Sequence, residues 1–307
     1  MRKLLFALLC SLAFSANAFD MLAGGTRIPA AARAAGYTLN TFSINSNFNT
    51  TTVDNGATYA SGYKMYRSNY FGGVSAPAGT LNADGSVTIS GSQYDLVSAG
   101  KITTAPYFVG IAFGGGGYFE AELKFDPATA YLLGNWPAFW LMSIEHNDGQ
   151  DVQWSGEVAG YRHFMEVDIM EAFSTSASDT YQSTLHDWYG VHAVTCSAWC
   201  SVTSNYYAGT AHAPKGTDWN IYHRYAVAWI PATVSTQGCY YFYFDDIKMS
   251  SICYSQFTTQ AAPPTSLTPW TFGIGDSQHL TLEFGGGPIT VKSVNVWQAT
   301  TSNNWTN

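Results

Sequence analysis

The stretch FMEVDIMEAF, Phe164 to Phe173, places three carboxylates within six positions of an otherwise apolar run. In a chain with only 11% charged residues, that concentration restricts the local fold. Read as a strand, His163 to Glu171 sends alternate side chains to opposite faces. Glu166 and Asp168 share one face, while Met165, Val167 and Ile169 fill the other, which must then be core. Regular alternation would drive Glu171 into that core, where an unpaired carboxylate is costly. A β-bulge near Ile169 or Met170 adds one residue and returns Glu171 to the face of the other two acids. The spacing of two and then three predicts a bulged strand in a sheet with one buried face.

Other segments carry the same period. Tyr118–Phe125 nearly alternates, Tyr222–Trp229 reads as a strand, and Thr290–Trp297 looks like a closing strand. Tyr240–Phe244 and Ile247–Met249 flank Asp245-Asp246, which reads as hairpin turn chemistry. Helical periodicity is nearly absent, apart from a turn near Ala30–Ala34. Residues 19–95 are rich in Gly, Ser, Thr and Asn, and no linker, repeat or charge block interrupts the chain. Many strands with Gly-rich turns predict an all-β, single-domain sandwich over residues 19–307.

Arg2 and Lys3, the apolar run LLFALLCSLAF and Ala16-Asn17-Ala18 form a signal-peptide pattern, residues 1–18. A secreted or periplasmic protein is expected. Cys10 would leave with that segment, and the four remaining cysteines suit an oxidising compartment. They allow three pairings, of which Cys196–Cys200 and Cys239–Cys253 close short local loops. The rival is a metal site, but no His stands at finger-like spacing from Cys196 or Cys200. A net charge of −8 argues against nucleic acid or an anionic membrane as partner and leaves a neutral polysaccharide open.

Three neighbouring acids raise one another's pKa, so at least one holds a proton near neutrality. One ionised carboxylate to attack an anomeric carbon and one protonated carboxyl to serve the leaving oxygen are the parts of glycoside hydrolysis. The residues alone leave two alternatives open, a solvated strand face and a Ca²⁺ site. The apolar flanks weaken the first, and the missing Gly-rich carbonyl loop weakens the second.

With these acids in place, the chain resembles the glycoside hydrolase family 16 enzymes, the laminarinase-like group with an E-x-D-x-x-E signature, here Glu166 to Glu171. Gly117–Glu122 resembles that family's G-x-F-E-A strand, and Asn135–Met142 resembles its W-P-A-F-W-L block. Tyr222–Trp229 and Val291–Gln298 resemble later strands, and the blocks occur in the family's order across roughly residues 105–300. The resemblance implies a concanavalin A-like β-jelly-roll with a concave substrate cleft, and a retaining endo-glycanase. By position, Glu166 is the nucleophile, Asp168 the assisting carboxylate and Glu171 the acid/base. A β-1,3- or mixed-linkage β-1,3/1,4-glucan is the implied substrate. The alternatives are a non-catalytic glycan-binding protein on the same fold and a transglycosylase or exopolysaccharide-modifying enzyme.

Trp136 and Trp140 are candidates to stack on pyranose rings, against a packing role. His186 is placed to meet Asp168 or a substrate hydroxyl, and Trp188 to line the cleft. Glu120 and Glu122 read as structural or distal cleft residues. Gly114–Gly117 lacks the Lys-Ser/Thr of a phosphate loop. No cofactor is expected for catalysis, and the resemblance allows a structural Ca²⁺ away from the cleft, without named ligands. The expected partner is a polysaccharide, with no nucleic acid and no membrane, and the chain is expected to be a monomer. The Cys196–Cys200 segment and the 145–157 loop depart from the family pattern, where loops on a fixed scaffold set specificity.

Overall fold

The computed structural model describes residues 27–68, 79–90, 95–101, 108–132, 134–147, 161–173, 180–191, 203–233, 235–256, 278–301 and 303–307. The predicted signal peptide and the Cys196–Cys200 pair lie outside these residues.

Two large sheets face each other as an all-β sandwich. One runs Thr203–His212, Thr180–Val191, Tyr161–Glu171, Ala138–Ser143, Leu280–Gly285, Asp95–Val97, Met65–Ser68 and Val53–Asp54, in spatial order. It is antiparallel except for its last pair. The other runs Ile247–Gln256, Gln237–Phe244, His223–Ile230, Gly117–Lys124, Ile289–Gln298, Val87–Ile89 and Thr80–Leu81, with Leu39–Asn45 also paired to Ile289–Gln298. Neighbours in the sheets are often far apart in sequence: the strand from Gly117 lies between those from His223 and Ile289.

Period-two patterning explains the core. Phe119, Ala121 and Leu123 point inward from one sheet, and Phe139, Leu141, Met165, Val167 and Ile169 from the other, all in one buried cluster. Each fully buried side chain of this size contributes about 1.5–3 kcal/mol. The alternate positions of Gly117–Lys124 face away. Tyr118 packs there with Ala32 of the short Ala30–Ala34 helix, Ala226 and Trp297. Glu120 shares that face and meets the Tyr118 hydroxyl at 3.5 Å. This corrects the distal-cleft alternative for Glu120 and Glu122, because the three acids belong to the other sheet.

The hairpin at Asp245-Asp246 has both residues at positive φ, 46° and 68°. A two-residue turn of that kind matches the right-handed twist of its strands, and Asp tolerates the left-handed region better than most residues. Cys239 and Cys253 are cross-strand partners in the same hairpin and are disulfide-bonded, as expected from their spacing.

Candidate active site

The bulge lies where the acid spacing requires it. Asp168 pairs with Thr184 on the next strand, and Glu171 pairs with Gln182, so Ile169 and Met170 together oppose Ser183 alone. The opposite neighbour registers the same extra residue, with Trp140 against Asp168 and Phe139 against Met170. Ile169 and Met170, consecutive in sequence, both turn into the core. The Ser183 hydroxyl donates to the Ile169 carbonyl at 2.9 Å and satisfies a polar group that the bulge removes from the ladder. Glu171 is thereby turned back to the face of Glu166 and Asp168.

Trp136 arrives from the turn before Ala138–Ser143. Its backbone N–H donates to the Gly286 carbonyl at 2.7 Å. Gly286 sits at φ +67°, and a Cβ there would run into the Trp136 carbonyl oxygen, so only glycine fits. Trp136 is 47% exposed; its indole stacks on Phe173 at 4.2 Å and donates from Nε1 to Glu171 Oε1 at 2.8 Å. The other oxygen, Oε2, is held by the Thr184 hydroxyl at 3.1 Å. His186 lies opposite Glu166 on the adjacent strand, with Nε2 3.3 Å from Asp168 Oδ2.

Two of the three acids sit above the ordinary carboxylate range. Burial pushes the Asp168 carboxyl well up, the Glu171 charge adds to this, and a hydrogen bond with Glu166 works against it. Burial also raises Glu171, opposed by the Trp136 indole, the charge of His186, the Thr184 hydroxyl and Asp168. Like charges in an enclosed space favour a proton held between them. The arrangement can therefore offer a carboxylate and a carboxylic acid side by side, the requirement for paired nucleophilic and acid–base chemistry.

The other candidates separate by exposure. Trp140 is only 6% exposed and packs with Ala138, Met142 and Phe164 on the acid-bearing face, beside Asp168. It forms part of the site floor. Trp188 belongs to the Thr180–Val191 strand, and its side chain lies outside the described residues. Among the described residues, Glu166, Asp168 and His186 form a set that could hold a metal ion, with ligand atoms within 4.8 Å of one another. Calcium takes six to eight oxygen ligands, so two carboxylates and an imidazole are a poor set for it.

Four neighbours were missed from sequence. Thr184 stands two positions before His186, so strand alternation alone places it on the same face. Phe173 stands two after Glu171. Glu283 is fully buried directly across from Trp140 on the Leu280–Gly285 strand. Nothing in its apolar surroundings in sequence signals the site. Ser183 is identifiable only once the bulge is located.

No family model and no curated protein matches the chain. Solved structures similar to it include glycoside hydrolase family 16 enzymes, other glycanases and a lectin. An endo-1,3-beta-glucanase from Streptomyces sioyaensis is 15% identical with a TM-score of 0.45, covering 92% of this chain and 100% of that one. A glycoside hydrolase family 16 endo-glucanase from Bacteroides ovatus is 14% identical with a TM-score of 0.42, covering 83% and 99%. The kappa-carrageenase of Pseudoalteromonas carrageenovora is 16% identical with a TM-score of 0.38, covering 71% and 82%. Likeness at this level does not specify a substrate.

Proposed function

We propose that this protein is a secreted retaining endo-glycoside hydrolase acting on a β-1,3- or mixed-linkage β-1,3/1,4-glucan. The observation that carries the reading is the bulge: it gathers Glu166, Asp168 and Glu171 on one sheet face and sets Glu171 against an exposed tryptophan. The substrate class rests on the resemblance of the sequence blocks.

In this reading Glu166 attacks the anomeric carbon while Glu171 gives its proton to the departing glycosidic oxygen. The bond from anomeric carbon to leaving oxygen breaks as the ester to Glu166 forms. Glu171, now ionised, takes a proton from water, and that water's oxygen replaces Glu166 on the sugar. Asp168, held protonated first of all by burial, stands beside Glu166 on the same strand face and steadies it for attack. Trp136, nearly half exposed, offers a pyranose an apolar platform beside the acid.

The test is release of new reducing ends from laminarin, barley mixed-linkage glucan, xyloglucan, agarose and carrageenan. Release from a β-1,3-containing glucan, reduced at least about a thousandfold in Glu166→Gln and in Glu171→Gln, is expected. Equal turnover by either variant overturns the assignment. Products longer than the supplied oligosaccharide would move the reading to a transglycosylase.

A further inference from the structure

Resting on that reading, we infer that Thr184 is a positioning residue that lets Glu171 carry its proton on Oε2 and release it without losing its seat. The two oxygens of Glu171 have different partners. Oε1 accepts from the Trp136 indole at 2.8 Å, and an indole N–H can only donate. The better acceptor of a carboxylic acid is its carbonyl oxygen, so this contact keeps Oε1 unprotonated. Oε2 faces the Thr184 hydroxyl at 3.1 Å, and a hydroxyl both donates and accepts. When Glu171 is ionised, Thr184 donates to Oε2. When Glu171 is protonated, the hydroxyl turns and accepts from Oε2–H. One contact serves both halves of the reaction, and a donor-only partner would have to break.

The site's construction supports this role. Thr184 is buried at 2% exposure in the strand directly across from Asp168. Its backbone is fixed by pairing on both sides, to Asp168 and to Ala208. The bulge that re-aims Glu171 is what brings Oε2 within reach of it. Among the described residues, the other titratable groups around Glu171 are Asp168 and Glu166 on its own strand and His186 on the strand of Thr184. Across the sheet, beyond Trp140, lies Glu283. Trp136 offers Glu171 a donor only, and Thr184 offers it a hydroxyl.

The experiment compares Thr184→Val, which keeps the shape, with Thr184→Ser, which keeps the hydroxyl. The first readout is the pH profile of kcat/KM on the best glucan. Thr184 serves both forms, but its bond to the ionised carboxylate is the stronger, because that bond is charge-assisted. Its loss should therefore move the alkaline limb to higher pH and lower kcat about five- to tenfold, with little change in KM. Thr184→Ser should restore both. The second readout does not need turnover: the protonated-carboxyl band of Glu171, isolated as the infrared difference from Glu171→Gln, titrated in wild type and Thr184→Val. The band should titrate at higher pH in Thr184→Val and at the wild-type position in Thr184→Ser. An unshifted band, or Thr184→Ser behaving as Thr184→Val, overturns the inference. A wild type with no activity on any polymer would sink the hydrolase reading, and the infrared titration would still decide the role of Thr184.

Discussion

Asp168 and Glu171 are held above the ordinary carboxylate range, first of all by burial. Folding therefore retains protons that the unfolded chain releases above about pH 4. The stability this contributes is complete below that pH and is lost as pH rises through the folded-state values. Asp168→Asn removes one acid from the enclosure. Thermal melts from pH 4 to 8 should show this variant gaining on wild type as pH rises, while its turnover falls. Glu120, on the outer face of the opposite sheet, supplies the contrast. Burial is the largest cause pushing it up to about 7, with Arg224 and Arg27 opposing. Glu120→Gln should gain stability between about pH 4.5 and pH 7 with turnover unchanged, because Glu120 does not touch the site. Loss of turnover in Glu120→Gln would contradict the separation of the two faces.

At the scale of the element, the strand from Tyr161 to Glu171 combines a regular half with a bulged half. The regular half was legible because the pleat imposes period two whatever the tertiary context. The bulge was legible because a buried unpaired carboxylate is the one outcome the spacing had to avoid. Its anchoring was not legible, because Ser183 comes from the neighbouring strand. Ser183→Ala leaves the Ile169 carbonyl without that donor. A loss of about 1–2 kcal/mol in urea unfolding is expected, together with lower kcat as Glu171 loosens against Trp136. Unchanged stability and unchanged kcat would mean that the ladder holds the bulge by itself. The Asp245-Asp246 hairpin shows the opposite balance. Its turn residues lie between two strand segments, so turn chemistry alone located it.

For the whole molecule, the sheet opposite the site is stapled by Cys239–Cys253, fourteen residues apart in sequence. Closing a loop of that length in the unfolded chain is worth about 3 kcal/mol in the chain-entropy account. Replacing both cysteines by Ser should lower stability by up to about that amount. It should leave kcat/KM at room temperature unchanged, since the acids sit on the other sheet. A parallel fall in kcat/KM of the folded variant would mean that the two sheets are coupled through their shared core.

The amino-acid sequence by itself determined several of the strands, which face of the signature strand carries the acids, and that an extra residue must re-aim Glu171. These follow from local alternation and from the penalty on a buried unpaired charge. Only the tertiary structure decided what surrounds those acids. Trp136 reaches Glu171 across 35 positions of sequence, Thr184 across 13, and Glu283 comes to the same face beside Trp140 from more than a hundred residues away. Exposure separated Trp136 from Trp140, although the two stand four residues apart in one motif. Partners and burial arise from strand order and register, and the periodicity of a single segment carries neither.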